Sequence, residues 1–363
     1  MAERAITPQR QLAMVFDLNK CLGCQTCSVS CKTLWTDQEG MEHMWWALVN
    51  TAPGAGSPRQ WMDLSDLAGG FDADGKPRPS VLMTNEDFGV AWDYNYEEVW
   101  NGGPGVTLTK DQDAKWGMNW DEDEGAGEWP NSYFFYLPRI CMHCTRPACV
   151  EACPRTAIYK REDNGIVLMD EARCHGYRFC AEACPYKRIY FNPKRRLSQK
   201  CVLCFARVEQ GVAPACMRQC PGRVRFFGYL DDEDSAVYKL VKKWKVAIPL
   251  HPEFGTEPNL YYVPPLAPSR LDVDGNVDES SPRIPKEYLE WMFGPDVWPA
   301  LDIVKAEIEK RANGEPSELM DTLISFRHKD MFGGFTKDPG KLDRKPNRVD
   351  TGPLISPGTK PNA

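Results

Sequence analysis

The sequence lacks any long uninterrupted run of apolar residues. Nowhere in its 363 residues does it offer about 18 consecutive apolar side chains, the length that crosses a membrane as a helix. Near the N-terminus the only apolar stretch is broken by Arg10, Gln11 and Asp17, so it is too short for the core of a secretory signal. We therefore expect a chain with no direct transmembrane segment that folds in the cytoplasm, where thiols stay reduced.

The sequence also lacks the motifs of the common catalytic sites. It contains no phosphate-binding P-loop, no G-x-G-x-x-G after an expected strand, no G-x-S-x-G and no H-E-x-x-H. Positive charge is not in excess, because 44 Lys and Arg against 51 Asp and Glu give a net charge of −7. That balance argues against binding to nucleic acid. These absences predict that the isolated chain is not an enzyme.

Cysteine, by contrast, is abundant. There are 15, an odd number that leaves one over in any disulfide framework. They fall in four runs: Cys21, Cys24, Cys27 and Cys31; Cys141, Cys144, Cys149 and Cys153; Cys174, Cys180 and Cys184; and Cys201, Cys204, Cys216 and Cys220. The first run has the bacterial ferredoxin spacing C-x2-C-x2-C-x3-C, in which three thiolates hold one iron–sulfur cube and the fourth holds the neighbouring one. The runs therefore predict iron–sulfur clusters, with zinc as the alternative because it also uses C-x2-C pairs.

The third run has a tyrosine where the ferredoxin spacing calls for a second cysteine. It reads Cys174-x2-Tyr177-x2-Cys180-x3-Cys184. A phenol is a poor substitute for a thiolate at iron, so we expect a [3Fe-4S] cluster with Tyr177 at the vacant iron corner. The alternative is that Tyr177 belongs to the core and another residue or water completes a [4Fe-4S] cluster.

Crossed pairing of the runs predicts which cysteines share a cluster. The second and third runs are close in sequence and should form an inner two-cluster unit, with the first and fourth runs nested around it as an outer unit. The predicted sets are Cys21, Cys24, Cys27 and Cys220 for the first [4Fe-4S] cluster; Cys31, Cys201, Cys204 and Cys216 for the second; Cys141, Cys144, Cys149 and Cys184 for the third; and Cys153, Cys174 and Cys180 for the [3Fe-4S] cluster.

This arrangement predicts an α+β fold of two nested ferredoxin-like units, each with the order βαββαβ. The expected divisions are an outer unit in 1–35 and 196–230, a Trp- and Gly-rich insert in 36–135, an inner unit in 136–195, and a C-terminal extension in 231–363 that packs on partner subunits. The insert either forms its own small core or serves as an interface. Strands are predicted at Leu12–Asp17, Ile166–Asp170 and Val224–Tyr229. In the extension, apolar spacing predicts a helix from Val297 to Asn313 and a shorter one that begins at Ser317.

Positive charge is concentrated around the last three runs. Between Arg139 and Arg225 there are 17 Lys and Arg against 7 Asp and Glu, a local excess of 10. Such cations would offset the negative charge of thiolate-bound clusters and raise their reduction potentials. For 194–196 the alternative is a solvated turn. His143 and His175 lie inside cysteine runs, where each either packs or hydrogen-bonds to a cluster.

At this point a family resemblance is visible. The chain resembles the iron–sulfur β subunits of complex molybdenum enzymes of the dimethyl-sulfoxide-reductase family, and above all those of ethylbenzene dehydrogenase and of perchlorate, chlorate and selenate reductases. The resemblance lies in the stretches NKCLGCQTC, EHMWW, FFYLPRICMHCTRPACVEACP, AIYKREDNGIV, EACPYKRIYFNP and HPEFGTEPNLYYVPP.

The resemblance implies an electron-transfer subunit of a heterotrimer. It would carry three [4Fe-4S] clusters and one [3Fe-4S] cluster between a molybdopterin α subunit, which the first cluster would face, and a haem b γ subunit, which the three-iron cluster would face. The expected reaction is the anaerobic hydroxylation of a hydrocarbon such as ethylbenzene, and the alternative is a respiratory oxidoreductase of (per)chlorate, selenate, or nitrate and nitrite. The expected location is the periplasm, reached by export of the folded chain with α. The cytoplasm, or the cytoplasmic face of the membrane, is the alternative.

Overall fold

The structure is a computed structural model that describes residues 8–54, 56–58, 61, 83, 85–88 and 125–342. All four cysteine runs lie within these ranges. Most of the predicted insert, including Trp92, Trp100, Trp116 and Trp120, lies outside the described residues, as does the end of the predicted C-terminal extension.

The described chain is a mixture of short strands and short helices, as the α+β prediction requires. The strands are β1 Leu12–Asp17, β2 Leu48–Ala52, β3 Phe135–Arg139, β4 Ile158–Lys160, β5 Val167–Met169, β6 Ile189–Asn192, β7 Leu197–Lys200, β8 Arg225–Tyr229, β9 Ile248–Pro249, β10 Leu260–Val263, β11 Ser269–Leu271 and β12 Val277–Pro282. The helices are α1 Thr26–Trp35, α2 Asn85–Phe88, α3 Ala148–Glu151, α4 Phe179–Ala183, α5 Phe205–Val208, α6 Ala215–Arg218, α7 Ala236–Tyr238, α8 Lys286–Phe293, α9 Val297–Ala312 and α10 Glu318–Ile324. None of the described helices combines the length and apolar character needed to cross a membrane.

The main sheet has the strand order β8-β1-β10-β9. Strand β1 is buried along its whole length, which suits its sequence LAMVFD, because a strand covered on both faces reads as a continuous apolar run. It pairs antiparallel with β8, where Leu12 lies opposite Tyr229, and parallel with β10, where Met14 lies opposite Leu260. The sheet thus fixes the base from which the chain enters the first cysteine run at Cys21.

Three antiparallel strand pairs connect the remaining runs. Strands β2 and β3 pair just before the second run, β4 and β5 pair between the second and third runs, and β6 and β7 pair between the third and fourth. The predicted strands at 166–170 and 224–229 are confirmed, with observed bounds of Val167–Met169 and Arg225–Tyr229. Each cysteine run is therefore held between short strands that are anchored to a partner.

The described part of the C-terminal extension is built into the main core as well as carrying helices. It supplies β9 and β10 to the main sheet, which the sequence analysis did not predict. Helix α9 is confirmed and buries Leu301 and Val304, whereas Ile308 is 36% exposed. Helix α10 is also confirmed, because the Ser317 hydroxyl accepts a hydrogen bond from the Met320 amide at 3.1 Å and caps its N-terminus.

The described tryptophans of the insert divide between core and surface. Trp46 and Trp61 are buried and pack into the main core of the protein. Trp129 is 89% exposed. Trp46 and Trp61 therefore belong to the core, and the interface role of the insert stays a prediction.

Tyr262 connects the main sheet to the second cysteine run, and this connection can be tested. Its buried hydroxyl donates to the Pro138 carbonyl at 2.9 Å. We expect Tyr262→Phe to lower the free energy of unfolding by about 1 to 3 kcal/mol, because a buried acceptor loses its donor. Thermal unfolding under anaerobic conditions measures the effect. Tyr261→Phe, on the opposite face of β10, is the control, and equal midpoints for the two variants would contradict the prediction.

Candidate metal centre

The first and third cysteine runs share one loop conformation. Before α1, Gly23 and Gln25 have positive φ angles of 66° and 55°. Before α4, Gly176 and Arg178 have φ angles of 71° and 65°. Because two left-handed residues recur at matching positions, both loops curl in the same way before a helix whose second residue is a cysteine.

Tyr177 occupies in the third run the loop position that Cys24 occupies in the first. Both side chains are exposed, Tyr177 by 54%. The Tyr177 ring stacks on Phe179, with ring centroids 6.3 Å apart, and lies 6.1 Å from His175. Tyr177 is therefore not a core residue, and that part of the alternative interpretation is wrong. The backbone keeps the shape of a cluster loop although the thiol is missing.

The first group of thiols comes from opposite ends of the ferredoxin-like region. Cys21, Cys24, Cys27 and Cys220 line one small pocket together with Arg225. Burial raises the pKa of Cys21 to about 12, and the neighbouring thiols of Cys27 and Cys220 contribute in the same direction. The fold therefore brings the first and fourth runs together at this pocket.

The second group is more deeply buried. Burial raises the pKa of Cys31 well above the usual thiol value, and the thiols of Cys201, Cys216 and Cys204 raise it further. The indole Nε1 of Trp35 donates a hydrogen bond to the Cys204 sulfur at 3.1 Å. Four thiols thus lie close together in a dry environment, with an N–H donor directed at one of them.

The third group combines the second run with the last cysteine of the third. Burial raises the pKa of Cys149 well above its usual value, and Cys184 and Cys141 are the neighbouring thiols that add most to this rise. Burial likewise raises the pKa of Cys144, again with contributions from Cys141 and Cys184. Cys184 thus lies with the second run and apart from its own run.

The fourth group has three thiols. Burial raises the pKa of Cys180 to about 12, and the thiols of Cys174 and Cys153 add to the rise. The Ser198 amide donates to the Cys174 sulfur at 3.4 Å, and the Ala157 amide donates to the Cys153 sulfur at 3.3 Å. These are the three cysteines that the sequence assigns to a three-iron cluster.

One turn of chain joins the first group to the second, and another joins the third group to the fourth. In every run the last two cysteines are four residues apart, which is about 6 Å along a helix. Cys27 and Cys31 both lie on α1, yet one belongs to the first group and the other to the second. Cys180 on α4 and Cys184 at its C-cap divide in the same way between the fourth and third groups.

Thiols of one group also raise the pKa of thiols in the neighbouring group. Burial and then the adjacent thiols raise the pKa of Cys216, and Cys27 of the first group is among these thiols. Burial raises the pKa of Cys201 to about 12, and the thiol that contributes most is Cys141 of the third group. The four groups therefore form a line in the order first, second, third, fourth.

Comparison with known proteins agrees with this geometry. Residues 132–230 match the family model of a 4Fe-4S dicluster domain. The chain is 52% identical over 324 residues to the dimethylsulfide dehydrogenase subunit beta of Rhodovulum sulfidophilum, a match that covers 89% of this chain and 98% of the relative. It is 51% identical to the selenate reductase subunit beta of Thauera selenatis, with 90% and 99% coverage, and 46% identical to the perchlorate reductase subunit beta of Dechloromonas aromatica, with 92% and 98% coverage.

The chain is an iron–sulfur β subunit of the dimethyl-sulfoxide-reductase family of molybdenum enzymes. Such β subunits serve electron transport in anaerobic respiration, and they work beside a catalytic α subunit.

The donor set of this β subunit suits iron–sulfur clusters. All 15 cysteines are free thiols, and Cys24 alone among them is exposed. Within the described ranges, no three His, Cys, Asp or Glu side chains lie close enough to hold one metal ion between them. In a cluster each thiolate binds a different iron, so the sulfurs stand further apart than around a single zinc ion.

Buried cations accompany these thiols in the β subunit. Lys160 and Lys200 are 3% and 1% exposed; Lys160 donates to the Cys144 carbonyl at 3.2 Å, and Lys200 donates to the Cys201 carbonyl at 3.0 Å. The residues of 194–196 are exposed and form the turn between β6 and β7, which confirms the solvated-turn interpretation. Burial therefore decides which of the local cations can act on the clusters.

The two histidines inside the runs have different environments. His143 is buried, and burial lowers its pKa well below the usual value, so it is neutral. Its Nδ1 accepts a hydrogen bond from the Val167 amide at 3.1 Å, which leaves the proton on Nε2. His175 is exposed. His143 thus helps to fix the loop of the second run through its bond to β5.

Proposed function

We propose that this β subunit relays single electrons along the line of its four cysteine groups, between the molybdopterin α subunit and a haem b γ subunit. The observation that carries the proposal is the continuous order of the four groups. One turn of chain joins the first group to the second and the third to the fourth. Thiols also raise the pKa of thiols in the adjoining group, as Cys27 does for Cys216 and Cys141 does for Cys201. Iron–sulfur clusters bound in these sets would supply one-electron redox chemistry.

The proposed ligands follow the grouping of the thiols. We assign [4Fe-4S] clusters to Cys21, Cys24, Cys27 and Cys220; to Cys31, Cys201, Cys204 and Cys216; and to Cys141, Cys144, Cys149 and Cys184. We assign a [3Fe-4S] cluster to Cys153, Cys174 and Cys180, with Tyr177 at the vacant corner. The sets make two nested ferredoxin-like units, because each unit pairs an early run with a later one.

The surface at the two ends of the line supports the placement of the partners. Leu22, in the loop of the first group, is 66% exposed. At the other end Phe179 is 48% exposed and lies beside the exposed Tyr177. Exposed apolar side chains at both ends suit docking of one subunit at each end, with α at the first group and γ at the fourth.

The reaction of the complex stays a prediction, because the substrate pocket is expected in α. Hydroxylation of a hydrocarbon such as ethylbenzene is the expected reaction, and reduction of a substrate such as selenate or perchlorate is the alternative that the relatives' names support. Export of the folded chain with α to the periplasm is likewise proposed, with the cytoplasm or the cytoplasmic membrane face as the alternative.

Electron paramagnetic resonance of the oxidised complex, purified without oxygen, tests the proposal together with iron quantitation. We expect the near-isotropic signal of one oxidised three-iron cluster and about 15 iron atoms for this chain, after the iron of the partners is subtracted. About 16 iron atoms without that signal would show that a non-cysteine ligand completes the fourth cluster. A preparation with zinc and little iron would overturn the relay.

Two alanine variants test the crossed assignment. Cys153 belongs to the second run in sequence but to the three-iron set in space, and Cys184 shows the reverse relation. We expect Cys153→Ala to abolish the three-iron signal and Cys184→Ala to retain it while a [4Fe-4S] cluster is lost. The same spectra and iron counts measure both. The opposite pattern would show that each run keeps its own cysteines.

Replacing Tyr177 tests the vacant corner. Tyr177→Cys restores a thiol at the loop position of Cys24, so we expect the three-iron signal to disappear and the iron content to rise by about one atom per chain. Tyr177→Phe is the matched control and should keep the signal, because it adds no ligand. An unchanged three-iron signal in the cysteine variant, with the new thiol shown to be intact, would contradict the assignment.

A further inference from the structure

Arg225 is a buried cation between two of the cysteine groups. It is the first residue of β8 and lies opposite Phe16 of β1 in the antiparallel pair. The residue is 1% exposed, and its guanidinium carbon lies 4.5 Å from the centre of the Phe16 ring. The main sheet therefore holds this charge in a fixed place with no access to water.

The guanidinium of Arg225 touches the first group and reaches the second. Its Nη2 donates a hydrogen bond to the Cys27 sulfur at 2.8 Å. The thiols that raise the pKa of Arg225 are, in decreasing order of effect, Cys27, Cys216, Cys220 and Cys21. Three of them belong to the first group and one to the second. Arg225 thus lies where these two groups adjoin.

Among the described residues, the charge of Arg225 has no carboxylate partner. None of the ion pairs in the described part of the chain includes it. Its Nη1 is buried and has no hydrogen-bond acceptor within the described part of the chain. An unpaired buried cation is unfavourable, so the sulfur of the two neighbouring groups is what can offset it.

Lys20 is a second cation near the first group, and its environment differs from that of Arg225. Lys20 also lies near Cys220, but its Nζ is 3.6 Å from the Asp17 carboxylate and donates to the Leu323 carbonyl. A neighbouring carboxylate therefore offsets its charge. The unpaired charge of Arg225 acts on the thiol groups without such compensation.

We propose that Arg225 is a positioning residue that raises the reduction potentials of both the first and the second cluster. The inference rests on the proposed relay, in which each cluster takes one electron from its neighbour and passes it on, and no bond forms or breaks. A fixed cation favours the reduced, more negative state of each cluster near it, and hydrogen bonds to sulfur act in the same direction. Because one guanidinium serves both clusters, their potentials are raised as a pair.

Three variants of the complete complex separate charge from hydrogen bonding. Arg225→Gln removes the charge and keeps an N–H donor, and Arg225→Lys keeps the charge. Trp35→Phe removes only the neutral donor to the Cys204 sulfur, so it should affect the second cluster alone. Anaerobic redox titration followed by electron paramagnetic resonance measures each cluster, and iron content shows whether all clusters are assembled.

We expect Arg225→Gln to lower the equilibrium constant for one-electron reduction of both the first and second clusters at least about tenfold, which is about 59 mV for one electron. The third and fourth clusters should stay unchanged, and Arg225→Lys should stay within about threefold of the unsubstituted chain for all four. Unchanged potentials in a fully loaded glutamine variant, or equal shifts at all four clusters, would overturn the inference.

The outcomes also distinguish this inference from the proposed relay. If the unsubstituted complex holds no iron–sulfur clusters, the relay itself fails. If both Arg225 variants lose iron while the unsubstituted complex is loaded, Arg225 is a purely structural residue and the inference fails alone. Should only the glutamine variant fail to assemble, the lysine variant decides, because unchanged potentials with a cation of different shape support a role for the charge.

Discussion

The crowding of thiols in buried space is the constraint on which the rest of this β subunit depends. A buried thiolate is unfavourable, and several in one place repel each other, which is why burial and three neighbouring thiols raise the pKa of Cys31 well above its usual value. Positively charged iron is what allows such thiols to lose their protons together. N–H donors therefore point at sulfur, as Trp35 does at Cys204, and unpaired cations such as Arg225 lie beside the thiols.

The four-residue spacing within each run joins the first group to the second and the third group to the fourth. A helix turn places two cysteines about 6 Å apart, so that one can serve one group and the other can serve its neighbour. The same device recurs at α1 and at α4. Since the two cysteines share one turn, the backbone holds the first group beside the second and the third group beside the fourth.

Burial determines which of the charges near the cysteine groups can act on them. The sequence shows a local excess of positive charge between Arg139 and Arg225, and much of it is solvated, as in the exposed turn at 194–196. Lys200 and Arg225 are instead almost completely buried. Water screens an exposed charge strongly and a buried one only weakly, so the buried cations are the ones that can influence the potentials.

The sequence by itself determined the features that are local along the chain. The cysteine spacings, the missing thiol at Tyr177, strand β1, and helices α9 and α10 could be predicted because each depends on a short pattern of residues. Only the tertiary structure decided that β10 pairs parallel with β1, that Trp35 reaches Cys204, and that Arg225 lies between two thiol groups. These contacts join residues more than a hundred positions apart. Such pairing depends on how the whole core packs, and no local period in the sequence records it.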